Sequence, residues 1–238
     1  MILGKGGPTR AAFLLAEGLG NDWADSGRYY VAVLMRIIGG SAARRMLKAP
    51  KGWGVRPTPD LVKQAVFNSL AGRIPGARVL ELFAGSGALG LECLSRGAAE
   101  LVAVEKAERH AAVIRQNLAG AHLAKDHFEL RSQDVFTALR QLAVAGRQFD
   151  LIFADPPFGP KNVVRRSTSL SQQLLDNAEV PKLLASGGLF VLGQTKRDTL
   201  TAPANWTEVK VLKHGDSVMR FLKWAGAEPV AAEGTAAE

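Results

Sequence analysis

The stretch RVLELFAGSGALGLE, residues 78–92, decides the fold. Its first half is near-continuously apolar, which predicts a strand over 78–83. Its second half predicts a helix over 88–96, and the glycines between them supply the turn. Gly85, Gly87 and Gly90 form a G-x-G-x-x-G pattern. That pattern has physical meaning in this setting, directly after a strand and at the start of a helix. The first two glycines permit a tight turn and close backbone approach, and Gly90 lets the helix settle against the sheet.

Outward from this unit the same alternation repeats. Strands are predicted at 101–105, 128–132, 149–154 and 189–194, with helices at 107–118, 135–145 and 170–184. Upstream, TPDLVKQAVFNSLAG predicts a helix with Thr58 as N-cap and Pro59 in its first position. Leu61, Val62, Ala65, Val66 and Leu70 then recur at helical spacing. Downstream, TEVKVLKHGDSVMRFLKW predicts two strands around an HGD turn. The fold class is therefore α/β: a Rossmann-like, doubly wound, mostly parallel sheet with an antiparallel C-terminal hairpin. MRIIGGSAARRMLKAP adds a small N-terminal β element. The expected division is a disordered extension over 1–34, a basic β element over 35–57, the main domain over 58–224 and a disordered tail over 225–238.

A chain of 238 residues, 47% hydrophobic, suffices for one core and a small appendage. No apolar run approaches the roughly 20 residues of a membrane helix, and the opening residues do not read as a signal peptide. The single cysteine, Cys93, excludes an internal disulfide and a cysteine-based zinc site. It falls in an apolar helical pattern, as a buried small hydrophobe does. His110, His122, His127 and His214 show no ligand spacing, so no metal is expected. These features suit a reducing, cytoplasmic setting and no membrane.

The formal charge is +8 and the isoelectric point about 9.9. Such a balance favours polyanionic partners. Arg36, Arg44, Arg45, Lys48, Lys51 and Arg56 follow one another without an intervening Asp or Glu, and Trp53 lies among them. A basic stretch with an interleaved aromatic has the composition of a nucleic-acid arm; a solvated charged face is the plain alternative. Lys161, Arg165 and Arg166 form a second basic group, able to grip phosphates or merely to be solvated.

The glycine loop fits more than one adenosine cofactor. Glu105 lies 20 residues beyond Gly85, the expected spacing for a carboxylate that accepts from ribose hydroxyls. Glu81 precedes the loop within the first strand. A carboxylate there would face the pyrophosphate of NAD at close range and repel it. The cationic amino-acid end of S-adenosylmethionine would instead be attracted. Asp134 follows the third strand, where it can lie beside an adenine, cap the next helix, or do both.

ADPPF, residues 154–158, follows the fourth strand. Ligands of open α/β sheets bind beyond the carboxyl ends of strands. The Asp155 carboxylate and the Pro156 carbonyl can both accept from an exocyclic amine, turning its lone pair toward a methyl donor. Proline fixes φ and offers no competing N–H. Phe158 offers a ring on which a base can stack, worth ~1–3 kcal/mol. An ordinary turn is the bland reading of the same residues. The motif resembles the (D/N)PP(Y/F) signature of amino-group methyltransferases, and Asp in first place suits nucleobase amines.

MRIIGGSAARRMLKAP, VRPTPDLVKQAVFNSL, VLELFAGSGALGLECLSRGA, VAVEKAERHAAVIRQNL and FADPPF occur in that order. Together they resemble the RsmD-type bacterial 16S rRNA (guanine-N2)-methyltransferases, over residues 35–224. The resemblance implies S-adenosylmethionine as donor and one guanine of small-subunit rRNA as acceptor, presented in a ribosomal protein–RNA particle. It implies cofactor contacts from Glu81, Ala84, Gly85, Gly87, Glu105, Lys106, Asp134, Val135 and Asp155, catalysis by Asp155, Pro156 and Phe158, and RNA contacts from Arg44, Arg45, Lys48, Arg56, Lys161 and Arg165. A monomer is expected. The chain departs from the family in Phe158, where Tyr is common, in LGQTKR after the fifth strand, and in His214, where Tyr is typical. Arg56, Thr58 and Asn68 are open between site contacts and structural roles. Another nucleobase amino-methyltransferase, an NAD(P)-linked oxidoreductase and a non-catalytic RNA-binding module are the alternatives.

Overall fold

The computed structural model describes residues 35–50, 60–157 and 166–226. Two short strands come first, β1 (Met35–Arg36) and β2 (Met46–Leu47), paired antiparallel. Helix α1 (Asp60–Ser69) leads into β3 (Arg78–Leu82), α2 (Ala88–Ser95), β4 (Glu100–Val104), α3 (Glu108–Gly120) and β5 (Phe128–Arg131). Helix α4 (Val135–Val144), β6 (Phe149–Ala154), α5 (Leu170–Leu175), α6 (Glu179–Lys182) and β7 (Leu184–Thr195) follow. A hairpin of β8 (Trp206–His214) and β9 (Ser217–Trp224) ends the described chain.

The main sheet runs β5-β4-β3-β6-β7-β9-β8. Its first five strands are mutually parallel, and β9 enters antiparallel between β7 and β8. This is the expected α/β, mostly parallel sheet with an antiparallel C-terminal hairpin and a small N-terminal β element. The two-residue turn at Gly215-Asp216 joins His214 to its partner Ser217, and Gly215 holds a φ of 56°. Such a turn matches the strand twist only with a positive φ.

Alternation along each strand divides the core between two faces. Val79, Leu101, Leu151, Phe153 and Val191 point to one face, under α1, α2 and the β1–β2 hairpin. Leu80, Leu82, Val102, Ile152 and Leu192 point to the other, under α4, α5 and α6. The helices thus wind on both sides, as near-continuous apolar strands require. Cys93 is buried on α2 as a small hydrophobe. Among the described residues no helix is long and apolar enough to cross a membrane.

The helix expected over 170–184 needs correction. It breaks into α5 and α6 because the Asn177 side chain captures the Glu179 N–H at 2.9 Å, a local bond that competes with the helical ladder. Pro181 then lacks the N–H that would tie α6 back to Asn177. The strand expected to begin at 189 instead starts at Leu184 and carries a register shift through Gly187-Gly188: Phe149 pairs with Leu184, but Leu151 pairs with Leu189. The helical face of α1 also differs from expectation, since Leu61 is exposed and Lys63 is fully buried.

Candidate active site

Strands β3 and β6 are neighbours, with Leu82 opposite Ala154. Their carboxyl ends therefore bring the glycine loop and the Asp-Pro-Pro segment to one place, the switch point where ligands of open α/β sheets bind. The loop is shaped by left-handed backbone at Phe83 (φ 55°), Gly85 (57°) and Gly87 (76°). For Phe83 such a φ is strained, a feature that clusters at functional sites. Gly90, as its spacing suggested, sits where a Cβ would overlap Glu81 and Leu101, so only glycine lets α2 approach the sheet.

Glu81 is 3% exposed. Its Oε1 accepts from the Leu89 N–H at 3.2 Å, at the start of α2, while Oε2 is buried with no hydrogen-bond partner among the described residues. Burial pushes its pKa up to about 8; the N–H groups of Gly90 and Leu89 oppose this, and the nearby carboxylates Glu105 and Asp155 add to it. A cationic ligand end would relieve both the burial and the like charges.

Glu105 stands just beyond β4. Its Oε2 accepts from the Gly85 N–H and its Oε1 from the Ala107 N–H, both at 2.8 Å, and His110 Nδ1 lies 3.5 Å from Oε1. The carboxylate is thus held against the glycine loop, with lone pairs remaining for ribose hydroxyls. Asp134 caps α4, accepting from the N–H groups of Phe136 (3.0 Å) and Thr137 (3.3 Å). Its second oxygen lies 3.6 Å from the exposed Lys106 Nζ. Ala84 and Val135 are buried beside these groups.

Asp155 is half-buried and Pro156 buried. The Asp155 carboxylate lies over Gly193 of β7, where a Cβ would overlap its Oδ1. Ser171 Oγ donates to the Gly193 carbonyl at 2.9 Å and pins that backbone. Gly193 was missed by sequence reasoning, although a glycine inside an apolar strand is itself a sign of close approach. Asn68 is exposed on α1. Arg166 pairs with Asp176 at 2.6 Å. Phe158, Lys161, Arg165, Arg56 and Thr58 lie outside the described residues.

Arg44, Arg45 and Lys48 are exposed on the β1–β2 hairpin, Arg44 with a φ of 71°. That hairpin is bolted to α2 and α1 by buried polar groups that composition did not single out. Glu92 Oε2 accepts from the Ile38 N–H at 2.7 Å, and Ser95 Oγ accepts from the Ala42 N–H at 2.9 Å while donating to the Gly39 carbonyl at 2.6 Å. Lys63 Nζ donates to the Arg36 carbonyl, and burial holds its pKa below the ordinary value. The available signal was a charge in line with Val66, Phe67 and Leu70 for Lys63, and one inside LGLECLS for Glu92.

A sheet of this order, with acidic strand ends around a glycine loop, defines the architecture of class I methyltransferases. The chain belongs to the family described as Conserved hypothetical protein 95, which matches residues 35–223. It is 36% identical over 174 residues to the ribosomal RNA small subunit methyltransferase D of Escherichia coli (strain K12), a match covering 73% of this chain and 81% of that one. The solved structure of the Escherichia coli protein yhhF, 31% identical, superposes with a TM-score of 0.65 over 80% of this chain and 98% of that one. A more distant solved chain, 18% identical and complexed with S-adenosylhomocysteine, shares the fold with a TM-score of 0.57 over 71% of this chain and 50% of that one.

Proposed function

We propose that the chain transfers a methyl group from S-adenosylmethionine to the exocyclic N2 amine of a guanine in small-subunit rRNA. The observation that carries this reading is the meeting of three carboxylates, Glu81, Glu105 and Asp155, at the joined ends of β3, β4 and β6. The orphaned Oε2 of Glu81 fits a cofactor that brings positive charge. When bound, that donor supplies an electrophilic methyl on a sulfonium centre.

The chain's own residues supply binding and alignment. Glu105 takes the ribose hydroxyls, and Asp134 and Val135 flank the adenine. Asp155 and the Pro156 carbonyl accept the two N–H groups of the amine, which aligns its lone pair; alignment of reacting atoms accounts for much of such catalysis. The N–C bond forms as the S–C bond breaks, and the surplus amine proton passes to Asp155 or to water. Phe158 stacks on the base, which leaves its helix to reach the site. Exposed Arg44, Arg45 and Lys48, with Arg56, Lys161 and Arg165, hold the RNA backbone. The relative named ribosomal RNA small subunit methyltransferase D supports this substrate class. The working form is a cytoplasmic monomer that needs no metal, acting on a ribosomal particle. The basic β element over 35–57 and the methyltransferase domain over 58–224 together carry this activity.

The test uses methyl-labelled S-adenosylmethionine with small subunits from a strain lacking the gene, followed by mass spectrometry of the nucleosides. N2-methylguanosine is expected, falling by about 10²-fold or more in rate with Asp155→Ala. N6-methyladenosine would transfer the activity to another base. An unchanged rate in Asp155→Ala would remove that residue from the chemistry.

A further inference from the structure

Asn117 of α3 is 3% exposed and lies outside the strand ends that form the active site. Its amide nevertheless joins two parts of the molecule with different tasks. Oδ1 accepts from the Lys48 N–H at 2.7 Å. Nδ2 donates to the Lys48 carbonyl at 3.0 Å and to the Ser86 carbonyl at 2.9 Å. Lys48 closes the basic hairpin, and Ser86 sits between the two glycines of the cofactor loop. One planar side chain thus holds both backbone groups of an arm residue and one backbone group of the loop.

A second contact runs in parallel. Ser86 Oγ lies 3.8 Å from Met35 Sδ, in the other strand of the hairpin. The loop therefore reaches both chain ends of the hairpin, Met35 directly and Lys48 through Asn117. On the side facing α3 the loop is tightly confined: a Cβ at Gly87 would press on Ile114. Adjacent Gln116 reinforces the link at the surface, accepting from Lys48 Nζ at 3.1 Å.

Resting on the methyl-transfer reading above, we propose that Asn117 is a positioning residue that couples cofactor binding to RNA binding. Cofactor fixes the Ser86–Gly87 backbone, Asn117 passes that order to Lys48, and the hairpin is then held ready for RNA. Ordering one site lowers the entropy lost at the other, which is positive coupling without a large movement. The coupling is reciprocal, so RNA tightens the cofactor by the same factor. The consequence is that empty enzyme occupies its ribosomal substrate less than loaded enzyme does.

Two measurements test this. In the wild-type protein, S-adenosylhomocysteine should slow hydrogen exchange at the Lys48 amide as well as at the glycine loop, and leave Gly215-Asp216 unchanged. Protection of the loop alone would overturn the coupling while leaving the methyltransferase reading intact. In titrations, small subunits from a strain lacking the gene should tighten S-adenosylhomocysteine binding to wild type by about five-fold or more. Asn117→Ala should bring that factor to near one. Ser95→Ala, which loosens the hairpin from α2 without touching the loop, should keep it, so a merely structural weakening is told apart. A wild-type factor of one, or an Asn117→Ala factor equal to wild type, would overturn the proposal. Failure of the wild type to bind S-adenosylhomocysteine at all would overturn the methyltransferase reading and this inference with it.

Discussion

Replacing Glu81 by Gln tests the electrostatic basis of the site. The wild-type carboxyl is raised from 4.5 to about 8, chiefly by burial, with Glu105 and Asp155 contributing. A folded-state pKa above the unfolded value means that the folded protein binds more protons than the unfolded chain between those limits. Stability is then fully present below about pH 4.5 and declines as pH rises toward 8. At about 1.36 kcal/mol per pKa unit, the full excursion is about 5 kcal/mol, an upper bound because the interior relaxes around the charge. In Glu81→Gln the side-chain amide oxygen would still accept from the Leu89 N–H, but the group would not titrate.

Urea unfolding of the cofactor-free proteins at intervals across neutral pH, from mildly acidic to mildly basic, reads this directly. Wild type should lose several kcal/mol relative to Glu81→Gln as pH rises. The same argument governs the donor: a cationic ligand draws the proton off, so binding near neutral pH should release about one proton in wild type and none in the variant. Calorimetry in buffers of differing ionisation enthalpy counts it. Parallel stability profiles and equal proton release in the two proteins would refute the reasoning.

Gly193→Ala should displace the Asp155 carboxylate, since a Cβ there overlaps Oδ1; kcat should fall by about 10²-fold with the fold retained, and a wild-type kcat would remove the steric argument. Asp134→Ala should cost about 1 kcal/mol in urea unfolding by removing the cap on α4, whereas Asp134→Asn, which keeps an acceptor, should cost a few tenths at most. Lys63→Met should keep the buried stem but orphan the Arg36 carbonyl, costing about 1–3 kcal/mol and speeding amide exchange in the β1–β2 hairpin; unchanged exchange there would mean that Lys63 does not anchor it.

The parallel half of the fold was legible because its signals are local. Each of β3, β4 and β6 is a near-continuous apolar run, and the glycine spacing carries the β3–α2 turn without help from tertiary contacts. The break between α5 and α6 was not legible, because it depends on which hydrogen bond Asn177 makes, a choice between near-equal local alternatives. The persistence of β7 through Gly187 and Gly188 was hidden for a similar reason: a bulge and a strand end look alike in composition. Glu81, Glu105 and Asp155 could be named from their places after or within strands. Gly193 and Asn117 could not be connected to them, because their roles exist only where β6 meets β7 and where α3 meets the hairpin.

The same three carboxylates also decide between the cofactors that a glycine loop of this spacing can hold. Glu105 is fixed by two backbone N–H groups, one of them from Gly85 itself. In a pyrophosphate site, loop N–H groups face the phosphates; in this chain the Gly85 N–H is already directed to a carboxylate. The charged groups that act on Glu81 are carboxylates too. A dinucleotide would therefore bring two further negative charges to a loop whose donors are partly committed, beside Glu81, which already lies among carboxylates. A ligand with a cationic end meets the opposite balance: it neutralises the site and frees Glu81 to ionise. The division of charge, acidic at the strand ends and basic on the exposed hairpin, is the one that the proposed function requires.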